Sequence, residues 1–331
     1  MVKIAFAGGS GTQQMLARRL LMSLLRLRSM RLCYCPEMCG DMDPCIKSLA
    51  DSYQQEAPAA TQGITWVQVD YQDQAQLTKA LNGVHTVLSF ISEQDDPSSP
   101  LQKNLINAAV QAGVKRFAPS EWASSGTDQM GWYAYKGEIR RYLQQLNDKE
   151  KVLEYTLFQP GLFLNYLTYP YKSTKHLQNT ETPFDFEQCR HLVVDGSITF
   201  TTVEDLAQVV ARAIDFESEW PVVGGISGNE LSMEELVALS EKIRGKSAKV
   251  EKIPVEELKD GSWKSSWSPK IEHPSIPADQ VDQLSKFMVG SILLGVAAGE
   301  FVCSDEWNKL LPDFEFTQAE EYLTKAWKDK P

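Results

Sequence analysis

The chain has 331 residues, 43% hydrophobic and 23% charged, enough for two domains or one large α/β unit with an appendage. Its 33 basic and 44 acidic residues leave a formal charge of −11, which argues against general binding to nucleic acid or acidic membrane surfaces and points to a small, neutral or apolar ligand. No run reaches the roughly 18 apolar residues of a membrane helix. The start lacks a secretory pattern, and six cysteines without an Asn-x-Ser/Thr acceptor fit a reducing, cytoplasmic compartment.

β-rich runs at 2–7, 31–35, 65–70, 84–91, 116–120 and 155–159 alternate with helical spacing at 74–81, 101–112 and 132–146. This rhythm predicts an α/β fold with a doubly wound parallel sheet in residues 1–160, whose ligand site lies beyond the carboxyl ends of the strands. After Pro160 the pattern changes: 162–167 is short and aromatic-rich, and 169–190 is polar and irregular. A strand at 198–201 leads to a helix marked by Thr202 and Asp205, and Ser232 with Glu235 marks another. A strand at 249–255, a helical stretch at 277–298 and an amphipathic helix at 318–328 complete a smaller α+β lobe, 161–331, expected to face the substrate.

Ala7-Gly8-Gly9-Ser10-Gly11 follows the first strand and precedes a helix-compatible run, the setting in which backbone amides cradle a diphosphate. Gly8, Gly9, Ser10, Gly11 and Thr12 are therefore candidate cofactor contacts, although position 14, where a third glycine would fall, is Gln14. Asp70 and Tyr71 at the third strand end read either as the border of an adenine or as an ordinary strand end, and Ser89, Phe90 and Ile91 at the fourth are placed to run along a dinucleotide. The second strand ends Cys35-Pro36-Glu37, with neither a clean ribose-binding acid nor a clean phosphate-binding arginine, so NADP and NAD both stay open.

Residues 12–60 fit this plan poorly: five of nine methionines and four of six cysteines fall between 15 and 45, and no acid precedes Glu37. The segment reads either as a diverged insertion or as the product of a wrong frame or splice choice. Cys33, Cys35, Cys39 and Cys45 lack zinc-site spacing and the histidines lie far off, so no metal site is expected.

The fifth strand ends Phe117-Ala118-Pro119-Ser120-Glu121-Trp122, and a helix starting near Gly131 would bring Lys136 toward the strand ends. An ammonium there can bond a nicotinamide ribose and move a proton, with Ser120 or Tyr133 assisting. The short-chain-dehydrogenase pair Tyr-x-x-x-Lys is absent, since Trp132 stands at its first position; Tyr171 and Lys175 have the spacing but lie past the sixth strand. Phe163, Tyr166, Tyr169 and Tyr171 read either as an aromatic substrate wall or as core.

Residues 6–11, Val69-Asp70-Tyr71, 112–117, Pro119-Ser120-Glu121-Trp122, Lys136 and 201–205 together resemble the NmrA-like, isoflavone-reductase-like branch of atypical short-chain dehydrogenases in its fungal form, over nearly the whole chain except about 12–60. The resemblance implies a Rossmann-like fold, NADPH-dependent reduction of a phenolic or other secondary metabolite, and Lys136 as general acid/base. The other reading it implies is a non-catalytic, dinucleotide-sensing regulator that binds a protein partner. An inactive product of an impaired gene model is a third.

Overall fold

The computed structural model describes residues 3–8, 30–34, 64–92, 98–174, 177, 179–271 and 279–331. Two compact units emerge, and neither is continuous in sequence: one holds Met1–Glu121, Ala134–Leu157 and Ala207–Val223, the other Trp122–Tyr133, Phe158–Leu206 and Gly224–Pro331.

The first unit is built on six parallel strands: β1 (Ile4–Ala7), β2 (Met30–Tyr34), β3 (Ile64–Gln68), β4 (Thr86–Ser89), β5 (Arg116–Ala118) and β6 (Glu154–Tyr155). Their order is β3-β2-β1-β4-β5-β6. This is the doubly wound order, and its direction of winding reverses between β1 and β4. β1 is buried on both faces, as a central parallel strand must be. Its Ala5 and Ala7 join a core with Leu77 and Leu81 of α1 (Gln74–Leu81), Leu105 and Ile106 of α2 (Pro100–Gln111), and Ile139 and Leu143 of α3 (Ala134–Leu146). On the other face Phe6 stacks on Phe90, centroids 5.8 Å apart.

Element types agree with the periodicity; several ends do not. α1 starts where Asp73 accepts from the Gln76 amide at 2.9 Å. The expected strand 155–159 breaks at Thr156, and only Glu154–Tyr155 joins the sheet. The expected helix 132–146 opens instead as a 3₁₀ turn, Gly131–Tyr133, closed by the Tyr133 amide on Met130 O at 2.7 Å; α-helix begins only at Ala134. The second strand, inside the segment that fits the plan poorly, does pair in parallel with β1 and β3. The rest of 12–60 apart from 30–34 lies outside the described residues.

Arg116 ties the late segment 207–223 to this sheet. Its Nε meets Glu154 at 2.8 Å, its Nη atoms donate to Phe216 O at 2.6 Å and Ser218 O at 2.7 Å, and its guanidinium lies over the Trp220 ring. A 2% exposed cation is stable there because its donors are met.

The second unit is α+β. Strands β7 (Leu162–Phe163), β10 (Ser197–Thr201) and β11 (Asn229–Ser232) form one sheet; β8 (Phe184–Asp185), β9 (Arg190–Val193) and β12 (Lys249–Lys252) form another. The helix α5 (Met233–Arg244) carries the expected capping box, with Ser232 Oγ accepting from the Glu235 amide and Glu235 Oε2 from the Ser232 amide. At α4 (Val203–Asp215) Thr202 Oγ1 accepts from the Asp205 amide at 3.0 Å, and the Asp205 carboxylate accepts from Thr317 N and Oγ1. The helical stretch expected at 277–298 is α6 (Val281–Ala297), and no described helix is long and apolar enough to cross a membrane.

Within this unit His191 is fully buried, its Nε2 on Ser240 Oγ at 2.7 Å and its Nδ1 without a hydrogen-bond partner. Burial lowers its pKa to about 4, against the weaker upward pull of Asp185 and Glu241. The unfolded chain takes this proton near 6.5 and the folded one only near 4, so the neutral ring stabilises fully above pH 6.5 and that contribution fades as pH falls to 4. We expect a loss of roughly 3 kcal/mol across that window, measured by denaturant unfolding as a function of pH. His191→Gln should flatten it, and an unchanged slope in the variant would contradict the assignment.

Candidate functional site

The reversal between β1 and β4 locates the crevice where such sheets bind ligands. Gly8 stands at the end of β1 with φ of 82°, and a Cβ built on it would fall 2.7 Å from Ile91 N and 2.8 Å from Ile91 Cγ1. Only a glycine lets the two chains approach this closely. Phe90 N donates to Ala7 O at 2.7 Å, which holds the chain after β4 against the end of β1. Ser89, Phe90 and Ile91 are all fully buried beside it.

The expectation was that amides after Ala7 are offered to a diphosphate. The first of them, Gly8 N–H, instead donates to Tyr71 Oη at 2.7 Å. Tyr71 is fully buried and its carbonyl accepts from Asn104 Nδ2 at 3.0 Å, so this side chain braces the loop from behind. Asp70 makes a local turn, Oδ1 accepting from Gln72 N at 2.7 Å, and its own amide donates to Gln76. Gly9, Ser10, Gly11, Thr12 and Gln14 lie outside the described residues, as do Cys35, Cys39, Cys45 and Lys175.

At the carboxyl end of β5 the chain folds as the helix spacing implied. Lys136 is 1% exposed, not the solvated cation that an isolated helical lysine usually is. Its Nζ donates to Ser120 O at 2.7 Å and Glu121 O at 2.5 Å and lies 5.0 Å from the Tyr135 ring centroid. Ser120 starts no helix; its amide donates to Gln102 Oε1 at 2.8 Å, so a buried glutamine of α2 holds the strand end that receives the lysine. Tyr133 belongs to the second unit, half-buried, its ring edge-on to Trp132 at 5.7 Å.

Four of these contributors were not singled out from the sequence. Gln102 and Asn104 carry no local signal, because an amide side chain on a helix is ordinarily solvated. Glu121 and Arg140 do: both lie in the quoted segments, opposite in charge, with Arg140 one helical turn beyond Lys136. In the structure Arg140 Nη2 reaches Glu121 Oε2 at 2.6 Å and its Nε lies 3.1 and 3.2 Å from the two carboxylate oxygens. Glu121 is 1% exposed.

In the second unit Tyr166 and Tyr169 line a cavity of about 60 Å³ with Phe184, Phe186, Arg190 and Trp267. Burial pushes the Tyr166 hydroxyl well above the ordinary phenol range, so it stays protonated. Tyr171 packs edge-on against Trp327 instead, and Phe163 sits against Tyr166. Among the described residues no cluster of three or more His, Cys, Asp or Glu is set to hold a metal.

Gly8→Ala should be destabilising by about 2–4 kcal/mol, from a strained backbone and an overpacked contact with Ile91. Denaturant midpoints of the two proteins would test this, and equal midpoints would contradict the close approach.

Oxidoreductase swnN of Metarhizium robertsii is 30% identical over 233 residues, 58% of this chain and 64% of that protein, so the chain spans less than two thirds of its length. Isoflavone reductase homolog P3 of Arabidopsis thaliana is 28% identical over 275 residues, 79% and 81% of the two chains. Among solved structures, the NADPH-dependent quinone oxidoreductase QOR2 of Escherichia coli, complexed with NADPH, superposes with a TM-score of 0.65 at 23% identity, covering 99% of this chain and 100% of that one; at that identity it supports the fold alone. The NmrA-like family profile matches residues 47–323, beginning after the glycine loop and most of the compositionally odd segment. With more than half its length so matched, the chain belongs to the NmrA-like family.

Proposed function

We propose that this protein is an NAD(P)H-dependent oxidoreductase, with NADPH the expected coenzyme, that reduces a small, apolar, conjugated or aromatic compound. The observation that carries this is the Lys136 ammonium, buried against the Ser120 and Glu121 carbonyls at the carboxyl end of β5 in a sheet of dinucleotide-binding order. The names of relatives, oxidoreductase and isoflavone reductase homolog, support the reaction class.

The residues present fit a dinucleotide: the strand order reverses between β1 and β4, and Gly8, with φ of 82°, ends β1 beside that reversal. Gly8 to Thr12 would face the diphosphate, Asp70 and Tyr71 the adenosine half, and Ser89 to Ile91 the middle. A bound reduced nicotinamide supplies a hydride. The chain's own part is the proton. Lys136 Nζ, which donates to the Ser120 and Glu121 carbonyls, would give a proton to an oxygen or carbon that gains charge, with Ser120 and Tyr133 as secondary candidates. The second unit would hold the substrate.

A dinucleotide sensor that acts through a protein partner is the competing reading, favoured by one observation: the Gly8 amide is committed to Tyr71. Titration with NADPH and NADH, followed by quenching of the eight tryptophans, and coenzyme oxidation against a panel of quinones and conjugated phenols separate the two. We expect Lys136→Ala to retain coenzyme uptake while turnover falls about a hundredfold or more. Unchanged turnover in the variant would remove Lys136 from the chemistry. Uptake without turnover of any panel member in the parent protein would favour the sensor.

A further inference from the structure

The cavity of the second unit is walled by rings and by charge. β8 and β9 pair antiparallel with Asp185 opposite Arg190, and the turn between them carries Phe186 and Glu187. Glu181 completes the charged lining, so three carboxylates face one guanidinium and negative charge is in excess. Arg190 is already matched: its Nε meets Asp185 Oδ2 at 2.7 Å, and its guanidinium lies 4.3 Å from the Trp267 ring centroid. A cation held between a carboxylate and an aromatic ring is therefore the chemistry this wall displays. The other two carboxylates are half-buried. Glu181 Oε2 accepts from the Lys270 amide at 2.8 Å, and Glu187 has Gln188 Nε2 at 3.5 Å. Among the described residues neither forms an ion pair, and Lys246 Nζ reaches the Glu187 carbonyl at 3.2 Å.

Size and sign narrow the occupant. The volume of about 60 Å³ is well short of the roughly 150 Å³ that takes a benzene ring, so a few heavy atoms enter. An anion would meet the excess negative charge. A neutral apolar molecule would strip water from the carboxylates and return no interaction for it. A bare metal ion lacks a ligand set, since no group of three or more His, Cys, Asp or Glu among the described residues is placed to hold one. A small organic cation suits both kinds of wall, its charge the carboxylates and its C–H surface the rings of Tyr166, Phe184, Phe186 and Trp267. The charge of −11 on the whole chain also favours the approach of cations.

We propose that this cavity binds a small alkylammonium ion, or the ammonium end of a longer amine, with Glu181 and Glu187 as its charge partners and Trp267 as part of its aromatic wall. The site does not depend on the reductase reading, and its test uses no coenzyme.

The test is ¹⁵N-tryptophan NMR of the full chain, with the Trp267 indole signal assigned by its loss in Trp267→Phe. Dimethylammonium chloride should move that signal saturably, with a midpoint of roughly 1–20 mM for so few heavy atoms. Ethanol and sodium formate match dimethylammonium in heavy-atom count but are neutral and anionic, and each should give less than about a fifth of the shift at equal concentration. Sodium chloride at matched ionic strength corrects for screening. The double variant Glu181→Gln with Glu187→Gln keeps side-chain shape and an acceptor for the Lys270 amide. Its midpoint should rise about fivefold or more while the other indole signals stay in place. No saturable movement up to about 100 mM, an ethanol response equal to that of the ammonium, or an unchanged midpoint in the double variant would overturn the proposal. The ethanol and formate arms use the parent protein, so they decide the matter even where the variant does not fold.

Discussion

An ammonium group taken out of water costs several kcal/mol unless its protons find acceptors, and the first unit is organised around meeting that cost for Lys136. Lys136 donates to two consecutive main-chain carbonyls just past β5, which can be presented side by side only where the strand has ended. Gln102 holds that peptide from the α2 side, and Arg140 holds Glu121 from the next turn of α3. One residue after another in 119–121 is thereby immobilised from a different element, which is how a site keeps its geometry without rigid covalent links.

The β1–β4 junction obeys a different constraint, one of space. Strand order brings the end of β1 beside the chain that leaves β4, and the Gly8 backbone lies so near Ile91 that no side chain fits. The Tyr71 hydroxyl then takes the Gly8 amide, so the loop is anchored at its first residue by a side chain from the end of β3. The close approach and the anchor together fix the chain at Gly8.

The second unit supplies a contrast in chemistry. Its buried ionisable groups are kept neutral: His191 by burial beside a serine hydroxyl, and Tyr166 by burial at the wall of the aromatic cavity. Asp205, although its pKa is raised by burial, accepts from Thr317 and caps no cation. The cavity of the second unit sets its aromatic rings beside Glu181, Asp185, Glu187 and Arg190.

Much of this was legible in the residues themselves. Alternation of β-rich runs with helical spacing is a local property, and so the strands, the helices 74–81 and 100–111, and the Ser232–Glu235 cap could be read directly. The glycine after β1 and the lysine after the fifth strand were also visible, because each announces itself by residue type in a recognisable setting. Strand ends and the 3₁₀ opening at Gly131–Tyr133 were not, since they depend on where neighbouring carbonyls happen to lie. Only the tertiary structure could decide that Lys136 is buried, that Glu121 spends its carboxylate on Arg140, that Tyr71 closes on Gly8 and that Arg116 recruits residues 216–220, because each of those pairings joins residues far apart in sequence or on different elements, and the order of strands in the sheet, not any local pattern, brings them within reach.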